Sequence, residues 1–200
     1  MTIRFGTVAD VDAVAALHAD RIAEGFLVTL GPAFLRRLYR RIVRSPRAFV
    51  LVADSPAAAG AAGVHRVDGF VAVADDTAAL YREFVLHDGV RAGLAAVPGI
   101  LRAPRSVIET LRYGLRSEAG PTGAEILATA VASDRAGHGI GTTLVCAAVD
   151  ELRRRGAHRA QVVTAADNRA AALVYERGGF RAGGHREVHR GVAQQLLVWP

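Results

Sequence analysis

Three glycines at alternate positions mark the run Arg135-Ala136-Gly137-His138-Gly139-Ile140-Gly141-Thr142-Thr143. Glycine lets backbone N–H groups turn toward one centre, and an apolar helical pattern begins directly after this loop. A helix N-terminus adds unpaired N–H groups and the positive end of its dipole. The combination suits an anion, a phosphate above all, and requires no charged side chain. Two common phosphate chemistries are excluded. All 25 basic residues are arginine and none is lysine. A Walker loop needs a lysine on its phosphates, and a pyridoxal phosphate enzyme needs one for its Schiff base. A dinucleotide fingerprint needs Gly-x-Gly-x-x-Gly, yet counting on from Gly137 reaches Thr142 and from Gly139 reaches Leu144.

The second constellation is Asn168-Arg169-Ala170-Ala171-Ala172-Leu173-Val174-Tyr175-Glu176-Arg177-Gly178-Gly179-Phe180. Asn168, Ala171, Val174, Tyr175, Gly179 and Phe180 resemble, in register, the N-x-x-A-x-x-[LFV]-Y-x-x-x-G-F motif of the GNAT acyltransferase family. The upstream loop resembles that family's V-x-P-x-x-[RQ]-x-x-G-x-[GA] motif at Val131, Gly139 and Gly141. Ser133 stands where proline is usual, and Ala136 where arginine or glutamine is usual, with Arg135 displaced by one position.

The resemblance implies an α/β (α+β) fold of GNAT type. Its central sheet is mixed and largely antiparallel, with six to seven strands, splayed central strands and flanking helices. It also implies an acyl-CoA-dependent N-acyltransferase, with acetyl-CoA as cosubstrate and a primary amine of a small molecule or peptide as acceptor. The amine attacks the thioester, a tetrahedral oxyanion forms, and the thiolate leaves. The cofactor-binding positions carried over are Val131, Ser133, Arg135, Ala136, Gly137, His138, Gly139, Ile140, Gly141, Thr142, Asn168, Ala171 and Tyr175. Unpaired strand amides near Val131 and Ser133 would hold the pantetheine and polarise the carbonyl. Tyr175 resembles the family's general acid, and a phenol of pKa about 10 keeps its proton at neutral pH. Asn168 has two compatible readings, a bond to a cofactor amide and a helix cap. Glu125 opens the central strand where some family members carry a base. Two readings stand for it, a base acting through water and a solvated strand-end carboxylate.

The other titratable residues carry less. His65, His87, His158, His185 and His189 show no metal-ligand spacing with cysteine or carboxylates, so no metal is expected. His138 is expected to face solvent. Cys146 has no activating partner in the sequence.

The elements that hold these residues follow from period and punctuation. Strands are expected at 3–5, 48–53, 69–74, 125–131, 160–164 and 194–199, and a turn or loop at 54–63. Helices are expected from Thr7 or Asp10 to about Ile22, over 32–44 with Pro32 first, over 140–155 with Gly156 as C-cap, and from Asp167 or Asn168 to Arg177. Residues 76–120 form a long helical insertion between the third and fourth strands. Leu80, Phe84, Val85 and Leu86 suggest one helix there and Val107, Ile108, Leu111 and Leu115 another, with Pro98 and Pro104 between. This insertion is expected to wall the acceptor site, or to use Leu94, Val97 and Ile100 as a homodimer contact.

Composition bounds the rest. A chain of 200 residues, 51% hydrophobic, builds one sizeable core, so residues 1–200 are expected to be one domain. No apolar run reaches the roughly 18 residues of a membrane span, and the N-terminus lacks a signal-peptide layout. One cysteine forms no internal disulfide, so a cytoplasmic home is expected. Arginine without lysine fits the codon usage of a GC-rich bacterial genome. The net charge of +6 is spread along the chain, which argues against nucleic acid as partner. The competing function is an acyl-CoA-binding regulatory module that retains the pocket without turnover.

Overall fold

A computed structural model describes residues 1–22, 26–56, 65–102, 123–189 and 192–200. Among these residues the strands are β1 (Thr2–Phe5), β2 (Ala48–Pro56), β3 (His65–Ala74), β4 (Ala124–Val131), β5 (Ala160–Ala165), β6 (Arg181–His189) and β7 (Val192–Trp199). They form one sheet in the order β1-β2-β3-β4-β5-β7-β6. All neighbours run antiparallel except β4 and β5, which are parallel. The helices are α1 (Val11–Arg21), α2 (Phe26–Thr29), α3 (Pro32–Ile42), α4 (Thr77–Arg102), α5 (Ile140–Arg154) and α6 (Arg169–Arg177).

The apolar runs become strands because both faces of the sheet are covered. Along β2, Phe49, Leu51 and Ala53 enter the core beneath α5, while Ala48, Val50 and Val52 enter the core beneath α1, α3 and α4. On β3 the same alternation places Val71 and Val73 on the first face and Phe70, Ala72 and Ala74 on the second. α5 presents Ile140, Leu144, Val145, Ala148, Val149 and Leu152 at helical spacing to the first core. It lies close to the sheet because Gly69 leaves room. A Cβ there would stand 3.0 Å from the Ala130 carbonyl oxygen and 3.2 Å from side-chain carbons of Ile140 and Leu144. At its other end Gly156, at φ 81°, terminates α5 by donating to the Arg153 carbonyl at 2.9 Å, as expected of a C-cap glycine.

Three expectations are revised. Residues 54–56 continue β2 instead of turning. Asp54 pairs with Val67 across a bulge at Asp68 and accepts from Arg4 Nε at 2.7 Å. The insertion begins as one helix, α4, that passes Pro98 and ends at Arg102. Loss of the one N–H that proline lacks does not stop it. Its buried stripe is Leu80, Phe84 and Ala92, while Val85 and Leu86 are 66% and 80% exposed. The expected helix at Val107, Ile108, Leu111 and Leu115 lies outside the described residues, as do the side chains of Leu94, Val97 and Ile100. Finally, residues before β7 form a further strand, β6, which pairs with it as a hairpin.

α1 and α3 are locked by a polar pair inside the second core. His18 is 3% exposed, and its Nδ1 lies 2.6 Å from the Tyr39 hydroxyl. Burial holds the Tyr39 phenol protonated, so Tyr39 donates and the neutral imidazole accepts. The His18 ring also stacks on Phe70 at 6.4 Å. Burial lowers the His18 pKa to about 4 from its ordinary 6.5. The unfolded chain therefore takes up this proton first as pH falls. The stabilisation is complete above about pH 6.5 and lost on descent through about pH 4, by on the order of 3 kcal/mol for this one group. His18→Gln, which still accepts from Tyr39, is expected to flatten that part of the decline. Urea midpoints of both proteins at pH 7, 5.5 and 4.5 measure it, and parallel declines would remove His18 as the cause.

Candidate active site

β4 is the strand on which the site is built, and two irregularities shape it. The first is a bulge. β3 residue Ala72 pairs with Ala128 and Val73 with Ile126, so Leu127 is an extra residue on β4. Ala124 and Ile126 therefore face the α5 core, whereas Ala128 and Ala130 face the α1–α3 core. Glu125 and Leu127 point to the α1–α3 side, and Thr129 and Val131 to the α5 side. The second is a splay. β4 pairs with β5 over three positions only, from Ala124↔Ala160 to Ile126↔Val162. Beyond them β4 runs on to Val131 and β5 to Ala165 without pairing. The V expected between two central strands is present, with strand edges free along it.

The glycine loop sits at the open end of this V. A 3-10 turn, Ser133–Arg135, leaves β4 and is followed by Gly137 at φ 79° and Gly139 at φ 77°. Both values lie in the left-handed region that only glycine visits freely. The first loop-to-helix bond is Thr143 N–H to the Gly139 carbonyl at 3.0 Å. The six amides before it, at residues 137–142, donate to no backbone carbonyl among the described residues. These are the donors an anion at the α5 N-terminus would use. Gly141 keeps α5 close to α6, with Val174 methyls 3.5 Å from where its Cβ would be.

The side chains around the loop fix its shape. Arg135 donates through Nε to Asp68 Oδ2 at 3.2 Å and through Nη2 to Ser55 Oγ at 3.4 Å. Asp68 is fully buried at the β3 bulge, and its backbone carbonyl accepts from Ala132 N–H at 2.8 Å. The displaced arginine is therefore paired with a buried carboxylate, so its charge anchors the turn. Arg66 bridges Asp68 at 3.5 Å and Asp134 at 2.6 Å, which ties β3 to the same turn. His138 is exposed, and its Nδ1 donates to the Ala136 carbonyl at 2.9 Å. Ser133 and Ala136 are exposed, and the Ser133 carbonyl accepts from Ala136 N–H at 3.3 Å. A cavity of about 160 Å³ beside the loop is lined by Met1, Asp68, Arg135, His138 and Ile140. A larger one of about 370 Å³ lies at the opposite end of α5, around Arg155, His158 and Arg159, away from the glycine loop.

α6 supplies the other candidates. Asn168 caps it, accepting from Ala171 N–H through Oδ1 at 3.0 Å. Ala171 and Val174 are partly buried against the α5 core. Tyr175 is 6% exposed and stands edge-on to Phe180 at 6.0 Å. Burial pushes its phenol pKa up, and the Thr129 hydroxyl pulls it partly back. The two hydroxyls stop short of a formed hydrogen bond, because Thr129 Oγ1 is buried without a partner. Glu125 accepts from Thr77 Oγ1 at 3.2 Å on the first turn of α4, and its charge raises the pKa of Tyr81 after burial has done so. Thus the structure gathers the loop, Val131, Ala171 and Tyr175 around α5 and α6, and it places Glu125 on the opposite face of the sheet. Among the described residues no cluster of histidine, cysteine or carboxylate side chains suits a metal ion. No described helix is long and apolar enough to cross a membrane.

The sequence reading missed Asp68 and Thr129. Asp68 carried a signal, a lone carboxylate inside the apolar run from Val67 to Ala74. Thr129 carried none, since threonine is ordinary in strands.

A mixed sheet splayed beside its one parallel pair, with free loop amides at the opening, defines the GNAT class of fold. The family model described as the acetyltransferase (GNAT) family matches residues 85–180, the segment that holds both motifs. A ribosomal-protein-alanine N-acetyltransferase from Brucella melitensis is similar with 20% identity and a TM-score of 0.62, over 99% of this chain and 98% of that one. A variant of the spermidine N-acetyltransferase SpeG from Vibrio cholerae is similar with 16% identity and a TM-score of 0.61, over 100% and 94%. The NatC complex bound to Gag peptide and CoA is similar with 17% identity and a TM-score of 0.60, over 100% and 99%. At these identities the likeness is one of fold. No curated protein matches the chain in sequence. The family match and the shared fold thus agree: the segment that holds both motifs is similar to the GNAT acetyltransferases, and the whole chain has their fold.

Proposed function

We propose that the protein transfers the acetyl group of acetyl-CoA to a primary amine of a small molecule or peptide. One observation carries the reading: six amides at the α5 N-terminus, which donate to no backbone carbonyl among the described residues, open onto the β4–β5 splay, with Tyr175 on the same side of the sheet. The loop suits a pyrophosphate, the free β4 edge suits an extended amide-bearing arm, and neither needs a charged side chain. Acetyl-CoA supplies an activated thioester, whose carbonyl carbon takes the amine and whose sulfur leaves. β4 amides near Val131 and Ser133 face the charge that develops on the carbonyl oxygen. Tyr175, kept protonated by burial, gives its proton to the sulfur as the C–S bond breaks. Glu125, reached from the α4 side, takes the proton the nitrogen loses, through water.

The named neighbours are a spermidine N-acetyltransferase and a ribosomal-protein-alanine N-acetyltransferase, so polyamines and peptides are the acceptors to try first. α4 packs on α3 through Phe34–Phe84 contact at 5.6 Å and an Arg41–Asp88 ion pair at 2.7 Å. It thereby extends the α1–α3 face beside Glu125 and supports the reading of the insertion as the acceptor wall. The deciding experiment follows thiol release from acetyl-CoA with a panel of polyamines, amino-terminal peptides and small amines. Turnover with one of them is expected; tight CoA binding without turnover on any would leave a binding module. Glu125→Gln is expected to lower kcat/KM for that amine about tenfold with the acetyl-CoA KM held. Unchanged acceptor kinetics would return Glu125 to a strand-end carboxylate.

A further inference from the structure

Thr129 lies three residues past the last β4–β5 pair, where β4 has an open edge. The bulge at Leu127 turns it to the α5 face, where Val131, Ala171, Val174 and Tyr175 pack together. Its Oγ1 is fully buried and has no hydrogen-bond partner. A buried hydroxyl without a partner costs stability, and valine would fill the same volume without that cost. Tyr175 likewise makes no side-chain hydrogen bond among the described residues. Two polar groups thus stand unpaired on one face, at the point where the strands part.

We infer that Thr129 is a positioning residue for Tyr175: its O–H donates to the phenol oxygen, which leaves the phenol's own proton free for the departing sulfur. This rests on the acid role proposed for Tyr175. The Tyr175 O–H bond breaks, an S–H bond forms, and the phenolate left behind keeps the Thr129 hydrogen bond. The phenolate recovers a proton from solvent water after the thiol leaves, and Glu125 returns to solvent the one it took from the acceptor nitrogen, so the cycle balances. Burial and Thr129 are the two influences on this phenol, with no charged group among them. A lone neutral donor is what stabilises a transient phenolate in a buried site without ionising it at rest. Active-site hydrogen bonds that are long without substrate commonly close in the complex.

The test compares Thr129→Val, Thr129→Ser, Tyr175→Phe and the Thr129→Val/Tyr175→Phe pair in thiol-release kinetics and thermal melts. Thr129→Val is expected to lower kcat about tenfold with the acetyl-CoA KM held and the melting temperature unchanged or raised. Thr129→Ser should retain kcat, and the pair should be no slower than Tyr175→Phe alone. A full kcat in Thr129→Val, beside an impaired Tyr175→Phe, would overturn the Thr129 inference and spare the acid. Additive losses in the pair would also overturn it. A full kcat in Tyr175→Phe would instead remove the acid role on which it rests.

Discussion

Gly139→Val is expected to weaken CoA binding by about a hundredfold while the protein remains folded. Gly139 holds φ 77° as the residue from which α5 starts. No heavy atom stands within 4 Å of where its Cβ would be, so the penalty is conformational and not a collision. A β-branched residue in the left-handed region costs about 1–2 kcal/mol. The loop relieves that strain by moving toward negative φ, which swings the amides of Gly139 and Ile140 off their common centre. Two hydrogen bonds to a charged phosphate, at about 1.5 kcal/mol each, account for the expected loss. The core packing of Leu144, Val145 and Ala148 lies further along the helix and is untouched. Calorimetric titration with CoA beside a thermal melt decides it. An unchanged Kd would show that the loop amides are not the phosphate donors.

Tyr175→Phe is expected to lower kcat by about a hundredfold, with the acetyl-CoA KM changed less than about twofold. The substitution removes one oxygen and keeps the ring against Phe180. Burial raises the phenol pKa, so Tyr175 is a poor acid at rest and becomes useful only against a strongly basic partner. An alkyl thiolate released into a dry cleft is such a partner. The effect should therefore fall on the bond-breaking step and leave cofactor affinity alone. The sharper check varies the leaving group: a thioester with a more acidic thiol needs less protonation, and the gap between wild type and variant should narrow with it. A constant gap across leaving groups would point to a packing role for the ring.

Much of this arrangement was legible in the residues, and for physical reasons. Both-face burial makes β2 and β3 read as unbroken apolar runs, and the pattern of α5 is set by one buried stripe. Asn168, Tyr175 and Phe180 were found because the family motif they resemble lies within one local segment, a capped helix and the turn after it. The illegible parts depend on partners far along the chain. Residues 54–56 looked like a turn because Asp-Ser-Pro is turn chemistry; the antiparallel pairing with His65–Val67 and the Arg4 ion pair override it. Arg135 read as a stand-in phosphate ligand, since nothing nearby in sequence shows that Asp68, on another strand, holds it. Leu80, Phe84, Val85 and Leu86 together suggested a helix but not its facing, and Val85 and Leu86 turn outward because the other side meets α3. His18 and Tyr39 form a pair across 21 positions that no local pattern predicts.

The extra residue in β4 has a consequence of parity. Glu125 and Thr129 are four apart, and an unbroken strand would set both on one side of the sheet. With Leu127 inserted, even numbers change sides midway. On the function proposed above, one short strand thus serves two compartments, its acidic start facing the acceptor half and its hydroxyl-bearing end the leaving-group half. Neither half can be moved into the other by substituting a residue; only removing one would do it, and that single deletion would reverse the facing of Glu125 relative to Thr129 without altering the composition of either.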